Sequence, residues 1–327
     1  MLELFNYCTK NGYDKSLLDA NTNLKKFANS MELDGVEMFV YQKMGIEDTT
    51  GTIGAHLRYW PSWLGFWQHD QERVKSELPT EKDIKAYYGA TSPEQWLDVI
   101  RDNIEEALKL RPQYLVWHIS EASMEELYTL KFKYSDIQVV KSAAEVFNAV
   151  ADIIPGNVKV LFENLWWPGL RLTDEQVVKA FFKDIRRKNV GIMLDIGHLA
   201  NTNATLSCED DIVKYTFETI KDLGECAKYI KGIHLSKSLS GKYMNNFIRE
   251  FPEHSSFAKH YKHITNIDQH IPFTSANLEK LIKTINPDYL VHELFYNDLP
   301  AMAKYVQIQQ RSLGSAHTFK GEKQWKI

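Results

Sequence analysis

The sequence predicts an α/β protein, a (β/α)8 TIM barrel, from three observations. Short apolar runs occur eight times along the 327-residue chain, and continuous runs of this kind indicate strands buried on both faces of a parallel sheet. Segments with the periodicity of amphipathic helices separate these runs. No GxGxxG motif follows the first run, which removes the dinucleotide-binding version of the alternative architecture, a doubly wound open sheet.

The predicted strands follow one another over nearly the whole chain. Their ranges are 2–8, 34–40, 51–59, 113–120, 158–164, 190–197, 229–236 and 288–295. Ser92 before Pro93, with Gln95 three residues after Ser92, predicts a capped helix start, and Thr173 with Gln176 predicts another. We expect a single barrel domain over residues 1–313 and a frayed C-terminal tail over 314–327.

Two connections are longer than a plain barrel needs, namely the long loops after strands 3 and 7. They span residues 60–92 and 237–274. Long connections at the carboxyl ends of barrel strands usually belong to the active-site face. The first is aromatic, and we expect Trp60, Trp63, Phe66 and Trp67 to pack it onto the barrel mouth; stacking on substrate is the alternative.

Composition restricts the classes of protein. The formal net charge is −4, which argues weakly against a general polyanion binder without excluding a local basic groove. Three cysteines without a CxxC pair fit a reducing compartment. No signal peptide and no apolar run of membrane-spanning length are visible, so we expect a soluble cytoplasmic protein without membrane contact. The sequence leaves the oligomeric state open, a homo-oligomer included.

Six predicted strands end in a side chain that can bind a metal ion. These residues are His56, His118, Glu163, Asp195, His234 and Glu293. Any one of them alone would be interpreted as a hydrogen-bonded or ion-paired structural residue. Because the carboxyl ends of barrel strands converge on one mouth, the six together would repel one another or lose solvation. A divalent metal removes that cost, since it binds neutral imidazole and ionised carboxylate.

Further polar residues lie close to these strand ends. Asp268 and His270 are two residues apart in an extended segment, so they would face the same way. We expect His292 to face the helices, opposite Glu293. Three other histidines lie outside the predicted strands, and we expect them at the surface: His254, His260 and His263.

The motifs "LFEN", "MLDIGH", "GIHLS" and "VHEL", in this order and spacing, resemble the xylose isomerase-like TIM-barrel superfamily. That superfamily includes sugar isomerases and epimerases, inosose dehydratases and endonuclease IV, the AP endonuclease family 2 enzyme. The resemblance covers residues 1–313, nearly the whole chain. It depends on the set of motifs, among which the DxxH after an apolar strand is the most specific.

In the epimerase branch, the resemblance implies one divalent metal held by Glu163, Asp195, His234 and Glu293. Glu163 and Glu293 would also be the catalytic acid–base pair, and His198 would contact the substrate. The metal would polarise a carbonyl or hydroxyl group while a carboxylate moves the proton.

In the endonuclease IV branch, the resemblance implies three metals. His56 and His118 with Glu163 would bind the first. Glu163 would bridge to the second, which Asp195, His234 and Glu293 also hold. The third would be bound by His198, Asp268 and His270, for which a mononuclear epimerase has no evident need.

The sequence also departs from these relatives. Ser236 and Lys237 stand where an acid often follows the seventh-strand histidine, and the first strand lacks the opening expected of endonuclease IV. Trp166 and Trp167 after Glu163 suggest a narrow pocket for a compact substrate. The remaining predicted substrate contacts are Arg171, as an anion contact, Arg58 and Trp60.

From the sequence, the favoured function is a metal-dependent isomerase or epimerase of a sugar, polyol or sugar phosphate. It would work by carboxylate acid–base proton transfer on a small carbohydrate-like substrate. The alternative is an endonuclease IV-like trinuclear-metal phosphodiester hydrolase; nucleic acid is the less favoured partner because Lys/Arg clusters are missing around the strand ends. A binding protein without activity ranks last. The expected cofactor is zinc, manganese or iron, with one to three ions.

Overall fold

Eight strands form a closed barrel, as predicted. The computed structural model describes residues 1–8, 22–41 and 49–318. Each strand pairs in parallel with its sequence neighbours, and β8 pairs with β1 to close the ring. The strands are β1 Leu2–Tyr7, β2 Gly35–Val40, β3 Thr52–Leu57, β4 Tyr114–His118, β5 Lys159–Glu163, β6 Val190–Asp195, β7 Ile230–His234 and β8 Tyr289–His292.

Helices surround the barrel and fill its two long connections. In chain order they are Leu24–Ser30, Leu64–Trp67, Gln71–Glu77, Glu81–Tyr88, Pro93–Leu108, Met124–Thr129, Asp136–Val150, Glu175–Asp184, Ile196–Ala200, Glu209–Asp222, Gly241–Asn246, Phe257–Ile267, Glu279–Ile285, Leu299–Leu313 and Ser315–Thr318. Short 3-10 turns cover Ala151–Ile153 and Gly224–Tyr229. None of these helices is both long and apolar enough to cross a membrane.

The capping patterns predict the helix starts but not every partner. Ser92 accepts a hydrogen bond from the Gln95 backbone N–H as predicted, whereas the Gln95 side chain accepts from Thr91 instead of closing a capping box. The next predicted start is displaced by one residue. Asp174 caps that helix, with its carboxylate accepting from the Gln176 N–H at 2.8 Å.

Large side chains fill the lower half of the barrel interior, so the barrel is not a pore. The inner cluster consists of Leu4, Tyr114, Val116, Leu161, Met193, Tyr289 and Val291. Two glycines provide the space: a Cβ on Gly54 would lie 2.2 Å from the Tyr114 ring, and one on Gly232 would lie 2.5 Å from the Met193 sulfur. The predicted metal ligands therefore lie above this cluster, at the carboxyl end of the strands.

The connection over residues 60–92 packs on the barrel mouth through its aromatic residues. Phe66 stacks on Tyr88 with ring centroids 3.9 Å apart, and Trp63 donates its Nε1–H to the Ser120 carbonyl at 2.7 Å. Both contacts agree with the predicted packing role.

A buried ion pair also anchors this connection. Arg73 lies 3.0 Å from Glu121 and 2.7 Å from Glu126. Burial raises the pKa of Glu121 to about 7, although Arg73 and the backbone N–H groups of Trp63 and Leu64 oppose that shift.

One antiparallel bridge joins the start of the connection over residues 237–274 to a point near its end. Lys237 and Ile271 exchange two backbone hydrogen bonds, at 2.9 and 3.2 Å. Glu209 joins the two stems: it forms an ion pair with Lys237 and accepts from the backbone N–H groups of residues 274, 275 and 276. We call this arrangement of Glu209, Lys237 and residues 274–276 the clasp.

One prediction needs correction in this part of the molecule. His263 is buried and not a surface residue: its ring stacks on Tyr128 at 3.9 Å and its Nε2–H donates to the Leu127 carbonyl. The barrel packing also continues past residue 313. Ala316 is buried in the helix Ser315–Thr318, and His317 lies 2.8 Å from Glu3; residues 319–327 of the predicted tail lie outside the described residues.

Candidate metal centre

The carboxyl ends of the strands open into one cavity of about 1240 Å³. Six of the nine predicted metal ligands line this cavity, and eight of the nine form three overlapping groups. The ninth, Asp268, lies within 3.3 Å of two members of these groups, His198 and His270. Two groups of three and one of four have ligand atoms within 4.8 Å of one another: His56, His118 and Glu163; Asp195, His198 and His270; and Glu163, Asp195, His234 and Glu293.

The first group is at the ends of β3, β4 and β5. His56 Nε2 and His118 Nε2 lie 3.1 and 3.2 Å from the same oxygen, Oε2 of Glu163. Their rings are 4.8 Å apart. Strand alternation positions these side chains, because each lies near the carboxyl end of its strand and points into the barrel mouth.

The second group surrounds the other oxygen of Glu163. His234 Nδ1 lies 3.0 Å from Glu163 Oε1 and 3.0 Å from Glu293 Oε2. Asp195 is opposite His234 in the β6–β7 register. Glu163 therefore faces one group with each carboxylate oxygen.

The third group forms where the helix after β6 meets the stem of the second long connection. Asp195 caps the one-turn helix Ile196–Ala200 by accepting from the His198 N–H, which brings the His198 ring back over the mouth. Asp268 Oδ2 lies 3.3 Å from His198 Nε2 and 2.9 Å from His270 Nε2. His270 has a positive φ of 44°, a conformation that is costly outside glycine and is often retained at functional sites.

The unused ring nitrogens show how the imidazoles are oriented. The Nδ1–H groups of His56, His198 and His270 donate to backbone carbonyls, those of Leu57, Asn164 and Glu293. In each ring, the other nitrogen faces a carboxylate of the cluster. Metal-binding histidines are usually held by a donated hydrogen bond of this kind.

Glu37 is a residue of the centre that the sequence interpretation missed. It is fully buried on β2, where its carboxylate accepts from His234 Nε2–H at 3.0 Å and from the Tyr114 hydroxyl at 2.6 Å. This contact leaves His234 Nδ1 facing the ligand cluster. An acid at an inward position of an apolar run, "GVEMFV", was the available signal.

The electrostatics of the cluster fit divalent cations. Oδ2 of Asp195, Oδ1 of Asp268 and Nδ1 of His118 are buried without a hydrogen-bond partner in the described parts of the chain. Burial alone would lower the pKa of His270, but Asp268 raises it to about 10, and burial raises that of Asp195 to about 7. Divalent ions would replace the protons that these groups otherwise share, so the donor set fits the expected cofactor.

The other predicted site residues divide into two sets. Trp166 and Trp167 line the cavity, and the Trp166 ring is 5.4 Å from that of His198. Three residues have other contacts and do not line it. Arg171 pairs with Asp136, Trp60 donates to the Tyr87 carbonyl, and Arg58 donates to the same carbonyl and lies over the Trp60 ring.

The chain resembles known proteins at the level of family and fold. The family model described as xylose isomerase-like TIM barrel matches residues 85–312, more than half of the chain. No curated protein sequence matches the chain.

Solved structures with a similar fold cover almost all of it. A D-tagatose 3-epimerase-like protein is 16% identical, with 96% of this chain and 97% of that chain covered and a TM-score of 0.52. A D-psicose 3-epimerase in the presence of D-fructose is 13% identical, with 97% and 99% covered and a TM-score of 0.50. Endonuclease IV from Thermus thermophilus is 12% identical, with 96% and 99% covered and a TM-score of 0.49. At these identities the likeness concerns the fold alone.

Proposed function

Because this chain belongs to the xylose isomerase-like TIM-barrel family, we propose that it is a metal-dependent enzyme of that family, and specifically a phosphate-ester hydrolase with three divalent ions. Zinc, manganese or iron suits a ligand set this rich in imidazole. The proposal departs from the isomerase that the sequence alone favours, because the geometry supplies more ligands than a single ion uses.

One observation carries the proposal, namely the position of Asp268. Its carboxylate lies within 3.3 Å of both His198 Nε2 and His270 Nε2. The remaining ligands already provide two groups that share Glu163. A third group with its own carboxylate has no function in a mononuclear centre.

Charge gives a second, independent argument. The nine proposed ligands include four carboxylates, on Glu163, Asp195, Asp268 and Glu293. Three divalent ions would outweigh these carboxylates and make the floor of the cavity cationic, whereas one ion would leave it anionic. A cationic floor attracts and stabilises a phosphate ester, whose reaction increases the negative charge on its oxygens.

Each part of the chain would have a defined role in hydrolysis. Bound ions would supply Lewis-acid stabilisation of charge on the phosphoryl oxygens. Glu163 would fix the spacing of the first two groups, since its two oxygens face different histidines. Trp166, whose Nε1–H has no partner among the described residues, would donate a hydrogen bond to the substrate. In this reaction a water oxygen bonds to phosphorus, the ester P–O bond breaks, and the leaving oxygen takes up the proton that the water loses.

Metal counting combined with hydrolysis tests the proposal. Purified protein should contain about three divalent ions per chain by elemental analysis, with anomalous density at each ligand group, and should cleave bis(4-nitrophenyl) phosphate. The Glu163→Gln variant should lose metal from two groups and most of its turnover. The surface variant Glu94→Gln should retain the full metal content and the full turnover. One ion per chain, or a fully metallated protein that cleaves no phosphate ester, would contradict the proposal.

The isomerase or epimerase is the second candidate, supported by a specific contact. Glu163 and Glu293 each have a carboxylate oxygen 3.0 Å from the same nitrogen, Nδ1 of His234. Two carboxylates around one metal position can remove and return a proton on a sugar carbon. A single ion per chain together with interconversion of ketose epimers would favour this candidate.

Duplex DNA is the less favoured substrate. Arg73 is the only lysine or arginine among the described residues that line the cavity, and Glu121 and Glu126 already neutralise it. DNA affinity depends on phosphate neutralisation by such groups. A nicking assay on abasic-site DNA with the metallated protein tests this point. We expect the protein to cleave this DNA more slowly than it cleaves bis(4-nitrophenyl) phosphate.

A further inference from the structure

Half of the large hydrophobic side chains that are exposed in the described chain line the cavity. Six large hydrophobic residues are exposed in the described chain: Ile137, Ile248, Phe257, Tyr261, Ile271 and Phe295. Three of them, Phe257, Tyr261 and Phe295, line the cavity above the ligand cluster. We call these three residues the aromatic rim. Exposed apolar surface that borders a cavity commonly marks a binding site.

One residue of the aromatic rim contacts a metal ligand, and the other two residues stack on each other. The Phe295 ring is 4.6 Å from the His270 ring, so one end of the rim touches the third ligand group. Phe257 and Tyr261 are one turn apart on the helix Phe257–Ile267, and their rings are close to parallel, at 23° and 6.2 Å. Phe257 is 81% exposed and Tyr261 is 56% exposed, so the described part of the chain leaves much of both residues uncovered.

We propose that the aromatic rim binds a planar aromatic ring of the substrate while its phosphate group reaches the ligand cluster. The substrate class is then an aryl or nucleoside phosphate ester, and this assignment rests on the function proposed above. Flat rings prefer offset or edge contacts with aromatic side chains, which gives the rim selectivity over an aliphatic group of similar size.

A protein partner is a weaker explanation of the same surface. A stable interface buries about 800 Å² on each partner, and three side chains at the edge of a cavity offer far less. A partner seated there would also cover the cavity mouth. A polyanion is disfavoured too, since the rim itself contains no charged side chain.

Binding of matched ligand pairs tests the proposal without depending on turnover. The metal-loaded protein is titrated calorimetrically with phenylphosphonate against methylphosphonate, and with adenosine 5′-monophosphate against ribose 5-phosphate. Within each pair, the members differ in the aromatic group and share the anionic group. We expect the ring-bearing member to bind about ten-fold more tightly in at least one pair.

The variant Phe257→Ser/Tyr261→Ser should bring that ratio close to one without changing the affinity for methylphosphonate or the metal content. Ile137→Ser, which also removes an exposed apolar side chain but lies outside the cavity, should keep the wild-type ratio. Equal affinities in both wild-type pairs, or a preference that survives in the double variant, would overturn the proposal. A third result would also overturn the proposal, namely a wild-type protein that sediments as a dimer and a double variant that sediments as a monomer. The rim would then be an interface between copies.

Failure of this proposal is distinguishable from failure of the proposed function. Ring preference in binding without hydrolysis of any phosphate ester would remove the hydrolase and keep the rim. Hydrolysis without ring preference would do the reverse.

Discussion

At the scale of single residues, Glu37 shows how one buried acid can orient a ligand. Its carboxylate accepts from His234 Nε2–H and from the Tyr114 hydroxyl, and no part of it is exposed. The contact fixes which ring nitrogen of His234 carries the proton. Nδ1 is therefore available for a metal ion in the second ligand group.

Replacing Glu37 by leucine should lower metal affinity about 10- to 100-fold, because partners of this kind typically contribute that much. Isothermal titration of metal-free protein with zinc measures the effect, and circular dichroism checks the fold. Glu37→Gln is the matched control, since its amide oxygen can still accept from His234 and should retain most of the affinity. A leucine variant that binds zinc as tightly as wild type would show that His234 needs no such partner.

At the scale of elements, the clasp holds the region after the seventh strand, where the resemblance led us to expect an acid. Lys237 occupies that region, and its charge is matched by Glu209, which is itself on the helix Glu209–Asp222. The pKa of Glu209 lies far below its usual range despite burial, because Lys237 and the backbone N–H groups that donate to Glu209 stabilise its charged form. The clasp and the Lys237–Ile271 bridge thus fix the stem that carries Asp268 and His270.

Breaking the clasp should affect one ligand group and not the barrel. Lys237→Met leaves the buried Glu209 without its cation, and we expect loss of about one of the three metal ions and more rapid hydrogen exchange over residues 237–274. Elemental analysis and exchange mass spectrometry measure these quantities. Lys159→Met, which removes a partly exposed pair with Asp288, should change neither; equal metal loss in both variants would contradict a specific role of the clasp.

The sequence predicts those elements whose signal is local. Apolar runs and helical periodicity predicted the barrel, and strand alternation brought His56, His118 and Glu163 to one mouth. Pairings between distant residues carry no such signal. Glu37 meets a histidine 197 positions later in the chain, and Arg171, predicted to bind an anion, instead forms an ion pair with Asp136. These contacts depend on the three-dimensional arrangement of the strands, helices and loops and cannot be inferred from spacing.

At the scale of the whole molecule, the two ends of the described chain are held together. Glu3 on β1 contacts His292 on β8 and His317 in the helix Ser315–Thr318, each at 2.8 Å. These histidines lower the pKa of Glu3 to about 2 against the effect of burial. The hydrogen bond to Glu3 raises the pKa of His317, and the carboxylate of Glu32 raises it further.

The stability that His317 contributes should therefore depend on pH. A group whose pKa is higher in the folded state stabilises fully below its unfolded pKa of about 6.5, and the contribution is lost as pH rises through the folded pKa. We expect His317→Ala to cost about 0.5–1 kcal/mol at pH 6 and clearly less at pH 9.5. Urea unfolding of both proteins at the two pH values measures this; a cost that stays constant or increases with pH would refute the role of charge.

Closure of the ring by the β1–β8 pair also has a consequence for biosynthesis. Of the eight barrel strands, β1 leaves the ribosome first, and the edge of β1 that pairs with β8 stays unpaired until β8 has been synthesised. Glu293, which follows β8 directly, is the final proposed ligand in chain order, so a nascent chain cannot assemble the second ligand group before the barrel is complete. An exposed strand edge invites pairing with other chains, and we therefore expect chains truncated before residue 289 to aggregate instead of taking up metal.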